Sequence, residues 1–168
     1  MENELFKASS TIINECMATK PNERVLIIYD KNKRNIANSL LKEAKKVTKH
    51  TTLIEIPIPK FNGQEPPKET AKEMLNFDII LMPTSKSLSH TEARRTASEK
   101  GARIASMPGI TEEIMRRTLP ADYHQITELS NKLINLLNKA YETKEKIKIT
   151  TELGTNLKMQ VNRKLPQV

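Results

Sequence analysis

Four short apolar runs, separated by segments with helical spacing, restrict the fold of this chain more than any other feature. Runs of this kind are typical of strands buried on both faces, as in a parallel sheet; here they are Val25–Tyr29, Thr52–Ile56, Ile79–Met82 and Arg103–Met107. The segments between them carry apolar residues at helical spacing. This alternation predicts an α/β fold with three layers and a doubly wound, mainly parallel sheet of the flavodoxin or Rossmann-like type, with strand order 2-1-3-4.

The C-terminal part of the chain has a different pattern. From Ile126 to Ala140 apolar residues recur at intervals of 3, 4, 3 and 4, which favours a helix packed on the sheet over one that also meets another domain or subunit. Residues 147–150 and 157–161 then alternate with period two and predict a short β-hairpin. We therefore expect an α/β domain at residues 1–142, and at residues 143–168 a hairpin that opens a second domain, truncated or absent; that this domain binds metal is implied only by the family resemblance given below.

Charge and composition limit the classes of function. Residues 143–168 hold six Lys or Arg against two Glu, which gives +4 of the net charge of +8, and they include Arg163 and Lys164. Aromatic residues are only 4% and Trp is absent, so stacking platforms for nucleic acid are lacking and a nucleic-acid partner is not expected. The four glycines are isolated, which excludes a P-loop and a G-x-G-x-x-G fingerprint.

The location in the cell is predicted from cysteine usage and hydropathy. The single Cys16 excludes an internal disulfide framework, and its spacing in the first helix predicts a small core residue. No apolar run approaches the roughly 20 residues that span a bilayer, and the N-terminus is acidic, unlike a signal peptide. We expect a cytoplasmic protein with no membrane partner.

A hydroxyl-rich segment, Pro83–Arg94, follows the third apolar run. It lies where a parallel strand gives way to a helix, which is where α/β proteins build sites. Ser89 and Glu92 have the spacing of a capping box at the start of that helix, and this structural role is favoured over direct ligand binding. The candidates for lining a cleft or contacting a ligand are Thr84, Ser85, Ser87, Ser89, His90, Thr91 and Arg94.

None of these residues forms a recognisable catalytic set. Ser89 and His90 are neighbours on the chain, and neighbouring helical positions do not face each other. Glu112 and Glu113 diverge for the same reason and are expected in the first turn of a helix that Thr111 starts. The three histidines are far apart and match no metal-binding spacing. The sequence predicts no catalytic residue and no metal ligand in this chain.

Five segments in order nevertheless resemble one family: Glu65–Pro67, Pro83–Arg94, Gly101–Arg103, Pro108–Glu113 and Gly154–Leu157. Together they are similar to the N-terminal half of the thermophilic leucyl aminopeptidase family, the aminopeptidase T-type metallo-exopeptidases, whose relatives include hydroxypyridine-ring-cleaving dioxygenases. The resemblance runs nearly from end to end of the chain. Its most specific part is the serine-rich segment.

The resemblance implies a hydrolase that removes N-terminal residues from peptides with two divalent metal ions, zinc or cobalt. The family's ligands are two glutamates, two histidines, an aspartate and a tyrosine of a C-terminal domain, and no position here matches any of them. We therefore expect this chain alone to bind no metal cofactor, to be inactive, and to meet peptide substrate only if a C-terminal domain is supplied. A homo-oligomer is also expected. The alternative is a non-catalytic α/β module for ligand binding or assembly.

Overall fold

The computed structural model describes residues 2–162, and side chains from residue 4 onward. Arg163 and Lys164, which belong to the predicted basic C-terminal segment, lie outside these residues. Six helices and six strands are described, in the order α1 Glu2–Thr11, β1 Val25–Asp30, α2 Arg34–Val47, β2 Thr51–Ile56, α3 Lys68–Met74, β3 Ile79–Thr84, α4 Glu92–Glu99, β4 Arg103–Pro108, α5 Glu112–Thr118, α6 Tyr123–Thr143, β5 Lys146–Thr150 and β6 Asn156–Gln160. A π-helical turn, Ile12–Cys16, extends α1, and a 3-10 turn, Lys31–Lys33, precedes α2.

The first four strands form one parallel sheet in the order β2-β1-β3-β4, so the predicted fold class and strand order are confirmed. The two central strands, β1 and β3, are buried along their whole length, as their uninterrupted apolar sequences require. Strands β5 and β6 pair antiparallel and form the expected C-terminal hairpin.

Two separate cores show that helices cover both faces of the sheet. Alternate residues of β1 point to opposite faces because the side-chain period of a strand is two. Ile27 packs in a core with residues of α1, α2 and α5, whereas Ile28 packs in a second core with residues of α3 and α4. This arrangement is the three-layer, doubly wound architecture predicted from the sequence.

The chain divides into unit 1, Met1–Ala121, and unit 2, Asp122–Val168. Unit 1 contains the parallel sheet, and unit 2 contains α6 and the hairpin. The division falls before α6, whereas the sequence boundary was placed at residue 142. The difference arises because helical spacing indicates that α6 is amphipathic but does not indicate whether it belongs with the sheet or with the hairpin.

Two local predictions differ from the structure in the first half of the chain and in α4. Cys16 is exposed and is not a core residue, because the π-helical turn adds a residue to the helical repeat and brings Met17 to the buried side. Helix α4 begins at Glu92 and not near Ser89. The start of α5 is as expected, with Thr111 accepting a hydrogen bond from the Ile114 N–H.

Candidate functional site

The carboxyl ends of β1 and β3 lie side by side at the centre of the sheet. The chain leaves β1 toward β2 on one side and leaves β3 toward β4 on the other. Such a switch point opens a crevice at the carboxyl edge, and α/β proteins bind ligands there. The predicted site segment follows β3 directly, so the fold places it at this edge of the sheet.

A buried carboxylate joins the two central strands at this edge. Asp30, the last residue of β1, is fully buried, and its Oδ1 accepts hydrogen bonds from the Ser85 hydroxyl at 2.9 Å and from the Asn32 N–H at 3.1 Å. Its Oδ2 accepts a short hydrogen bond from the Ser85 N–H. The Asn32 side-chain amide also donates to the Ser85 hydroxyl at 3.1 Å. Ser85 therefore anchors the loop after β3 to the end of β1.

Asp30 is not among the candidate residues predicted from the sequence. The available signal was an acidic residue directly after the apolar run Val25–Tyr29. A carboxylate at the carboxyl end of a central strand either faces the crevice or binds backbone N–H groups of the following turn. Here Asp30 accepts from the Asn32 N–H in the turn that leads to α2.

The other hydroxyls of the segment also bind within the protein. Thr84 is buried and donates to the Lys86 carbonyl at 2.7 Å, and the Ser87 hydroxyl accepts from the Ser89 N–H at 3.1 Å. The Ser89 hydroxyl pairs with that of Ser106 on β4 at 2.9 Å. These bonds make the segment a rigid turn, which we call the serine-rich turn, residues 84–91.

The predicted capping box is wrong. Thr91 is the N-cap of α4, and its hydroxyl accepts from the Arg94 N–H at 3.2 Å, whereas Ser89 bonds to Ser106 instead. Glu92 does not reach back to the cap, because its carboxylate pairs with Arg95 one turn along the helix. Thr91 also donates to the Leu88 carbonyl at 2.8 Å, which tightens the turn so that the helix starts two residues later than Ser89 would place it.

A distant carboxylate completes the start of α4. Glu65, in the proline-rich loop of residues 57–67 between β2 and α3, accepts from the Glu92 N–H at 2.5 Å and from the Ala93 N–H at 3.2 Å. The same loop donates from the Gly63 N–H to the Ser87 carbonyl at 2.7 Å. The first N–H groups of a helix attract anions, and here the protein's own carboxylate fills that position. No sequence pattern links residue 65 to residue 92, so this contact could not be predicted.

Two of the predicted contact residues reach the surface of the turn. Arg94 is partly exposed, and its Nε donates to the Ser89 carbonyl at 2.9 Å. His90 is exposed, and the described residues show no hydrogen bond to its imidazole. The exposed Lys86 adds a positive charge to the same surface. The structure thus brings all seven predicted residues together, with His90 and Lys86 as the groups that face outward.

A second polar surface lies beside the turn, at the start of α2. The side chain of Lys33 donates to the Ile110 carbonyl at 2.7 Å and links the turn after β1 to the loop after β4. A cavity of about 300 Å³ opens here, lined by residues 31–36 and 110–112. Near the end of β1, Tyr29 donates to Glu55 of the neighbouring strand β2 at 2.9 Å, and burial together with this carboxylate raises the pKa of the Tyr29 hydroxyl.

These groups define the chemistry that the edge of the sheet supports. The turn offers hydroxyls, backbone groups, an imidazole and the ammonium group of Lys86. The carboxylate beside it, Asp30, is fully buried and accepts from the Ser85 hydroxyl and from two backbone N–H groups. Residues 2–162 also hold no cluster of three or more His, Cys, Asp or Glu side chains suited to a metal ion, so a dinuclear centre does not fit the residues present. The edge can line a cleft and hold the polar groups of a ligand.

The fold and this edge define a doubly wound α/β domain with a polar switch point. Comparison with known proteins adds two solved structures of the same fold. No family model and no curated protein matches the sequence. Among the helices of the described residues, none is long and apolar enough to cross a membrane.

The two structures belong to larger proteins. One is 2,5-dihydroxypyridine dioxygenase from Pseudomonas putida KT2440, with a TM-score of 0.64 and 12% identity over 96% of this chain and 48% of that one. The other is wild-type AmpT, an aminopeptidase T, from Thermus thermophilus, with a TM-score of 0.53 and 13% identity over 83% of this chain and 49% of that one. Both show the fold that this chain shares, and the chain spans about half the length of each.

Proposed function

We propose that this chain is the α/β domain of a leucyl-aminopeptidase-like metallopeptidase, a domain that forms one wall of the substrate cleft and contributes no metal ligand. The fold shared with AmpT supports this proposal, together with the ordered segments that resemble the family. In this role the serine-rich turn and its exposed His90 and Lys86 line the cleft. The reaction is the removal of N-terminal residues from peptides.

One observation supports assigning substrate binding to this chain and the reaction to another part of such enzymes. A protein named as a dioxygenase and an aminopeptidase both contain the fold of this chain. In each of them the matching part is about half of the protein. Two unrelated reactions on one shared fold indicate that the shared portion does not determine the reaction. We therefore assign binding and shaping of the cleft to this chain, and the two divalent ions, zinc or cobalt, to the part of such enzymes that it does not represent.

The internal bonding of the turn supports a shaping role over a catalytic one. The Ser85 hydroxyl donates to the Asp30 carboxylate, which is fully buried and also accepts from the Ser85 and Asn32 N–H groups, and the Thr84 hydroxyl donates to the Lys86 carbonyl. Both hydroxyls therefore fix the shape of the turn. A wall of fixed hydroxyls and amides orients a peptide without reacting with it. The cytoplasmic location expected from the single cysteine is part of the same proposal.

Two measurements on the purified chain test the proposal. With zinc or cobalt added, we expect no hydrolysis of leucine amide and no stoichiometric metal by elemental analysis; turnover together with bound metal would overturn the assignment. Titration with a short leucine peptide, followed by NMR, is expected to shift the amide signals of residues 84–94. His90→Ala is expected to weaken this binding, and His50→Ala, which changes an exposed histidine elsewhere, is the matched control. Shifts absent from the turn would favour the non-catalytic assembly module.

A further inference from the structure

Lys31 lines two cavities at the carboxyl edge of the sheet. One is the cavity of about 300 Å³ at the starts of α2 and α5. The other, at the end of β2, has a volume of about 510 Å³ and is lined by Lys31 together with Glu55, Ile56, Pro57 and Ile58. We call the two cavities together the lysine crevice, residues 31–36, 55–58 and 110–112.

The backbone of Lys31 is held beside the serine-rich turn. Lys31 lies between Asp30 and Asn32 in the chain, and the side chains of both neighbours bond to the Ser85 hydroxyl, at 2.9 Å and 3.1 Å. The chain on either side of Lys31 is therefore fixed to the turn that carries Lys86. A ligand that lies along the serine-rich turn can reach the lysine crevice without any change in the fold.

Two ammonium groups of the crevice have no anionic partner. Lys31 is exposed and has no hydrogen bond or ion pair among the described residues. Lys33 is partly buried, and among the described residues its ammonium group donates only to the Ile110 carbonyl, at 2.7 Å. An ammonium group has three donors, so two donors of Lys33 remain for a ligand or for water.

The carboxylates that line the crevice already have cationic partners. Glu55 pairs with Arg34 and also accepts from the Tyr29 hydroxyl at 2.9 Å. Glu112 pairs with Arg116 at 3.3 Å. Because these charges are matched, the two lysines give the crevice a net positive charge, and a cleft of one sign of charge concentrates ligands of the opposite sign.

We propose that the lysine crevice binds the free C-terminal carboxylate of a peptide, with Lys31 and Lys33 as its cationic partners. This inference rests on the proposed function, in which the amino end of the peptide lies at the metal ions and the carboxyl end is left to this chain. Beside Lys31, the apolar surface of Ile56, Pro57 and Ile58 suits an apolar side chain on the last residue of the peptide. The substrate class is therefore short peptides that end in an apolar residue with a free carboxylate.

NMR titration of the full chain with Leu-Gly-Leu and with its C-terminal amide tests this inference, because the two peptides differ only in the terminal charge. We expect the free acid to bind about three- to fivefold more tightly than the amide, the effect of an ion pair that is open to solvent. The free acid should shift the amide signals of residues 31–33 in addition to those of residues 84–94. The preference for the acid should decrease with added salt.

Variants of the crevice separate charge from apolar contact. Lys31→Gln is expected to make the acid and the amide bind equally, and Lys31→Arg to keep the preference for the acid. Lys100→Gln, which removes an exposed lysine at the end of α4, is the matched control and is expected to keep the preference. Ile58→Ser, also at an exposed position, is expected to weaken binding of Leu-Gly-Leu about threefold and to leave Leu-Gly-Gly unaffected.

The outcomes distinguish this inference from the proposed function. Equal affinities for acid and amide, with shifts at residues 84–94, would overturn the carboxylate site and leave the proposed function standing. A preference for the acid that survives Lys31→Gln would overturn the role of Lys31. Signals of residues 84–94 that do not shift with either peptide would overturn the proposed function, and this inference with it.

Discussion

Asp30→Asn is the most direct test of how the edge of the sheet is held together. The substitution keeps the size of the side chain and removes its charge. In the native structure both carboxylate oxygens accept: Oδ1 from the Ser85 hydroxyl and the Asn32 N–H, and Oδ2 from the Ser85 N–H. An asparagine amide has one oxygen and one NH₂ group. In either orientation its NH₂ group faces at least one of these donors.

The expected cost follows from these contacts. A hydrogen bond to a charged group contributes about 1.5–3 kcal/mol, and a buried donor left without an acceptor costs about 1–3 kcal/mol. Because Asp30 is fully buried, solvent cannot replace the lost acceptor. Asp30→Asn should therefore lower the free energy of unfolding by about 2–4 kcal/mol. For a chain of this length that corresponds to a fall of roughly 5–15 °C in Tm.

Urea unfolding at pH 7, followed by circular dichroism, measures this loss. We expect a lower midpoint with an unchanged m-value, because the surface exposed on unfolding stays the same. Ser85→Ala removes one of the three bonds and should cost about 1–2 kcal/mol, less than Asp30→Asn. Glu73→Gln is the matched control, since this exposed carboxylate has no hydrogen bond or ion pair among the described residues and should change stability by less than about 0.5 kcal/mol.

Two outcomes would refute the reasoning. If Asp30→Asn unfolds within about 0.5 kcal/mol of the native chain, the carboxylate is not the acceptor that joins β1 to the turn. If Ser85→Ala costs more than Asp30→Asn, the serine stabilises the edge through some contact other than Asp30. A double-mutant cycle of the two substitutions should give a coupling of about 1 kcal/mol or more, because they remove the same bond.

The remaining predictions concern the start of α4 and an ion pair at the opposite edge. Thr91→Ala should lower the free energy of unfolding, measured in urea, by about 1 kcal/mol, and Ser89→Ala by about half of that. If Ser89 were the N-cap, the ranking of the two losses would be the opposite. Glu65→Ala should cost about 1 kcal/mol, and an unchanged midpoint would contradict its role at the helix start. The hydrogen bonds from Arg103 lower the pKa of Glu23 below its ordinary 4.5. The stability that Glu23→Gln removes should therefore be present above that ordinary value and vanish as the pH falls through the lowered pKa, because a protonated Glu23 is as neutral as glutamine; a gap that persists in acid would contradict the pair.

The sheet was predictable from the sequence because a strand that is buried on both faces needs a continuous run of apolar residues. Val25–Tyr29 and Ile79–Met82 are continuous apolar runs, and the structure places them at the two central strands. The outer strand β2 is only partly buried and carries the exposed Glu55, because it lies at the edge of the sheet. Periodicity therefore predicted the four strands of the sheet and, through the helices between them, their parallel direction, whereas the order 2-1-3-4 was taken from flavodoxin-like folds.

The details of the site were less predictable because they depend on contacts between distant residues. The position of the segment 84–94 between β3 and α4 was predicted correctly, since following a buried strand is a local property of the sequence. The cap was placed at Ser89 because Ser-x-x-Glu is a local signature, and that signature cannot report that Ser106 on the next strand takes the Ser89 hydroxyl. The partners Asp30 and Glu65 lie 55 and 27 residues away from the groups they bind.

The two carboxylates also explain how this fold differs chemically from its nucleotide-binding counterparts. In those proteins a glycine-rich turn lets a phosphate approach the N–H groups at the start of a helix. Here Asp30 accepts from the turn before α2, and Glu65 accepts from the first turn of α4. Both positions where an anion would bind are filled by the chain itself, so neither turn needs glycine. The switch point is therefore left with the hydroxyls of the serine-rich turn and the outward-facing Lys86 and His90, while the N–H groups of these two turns are already occupied.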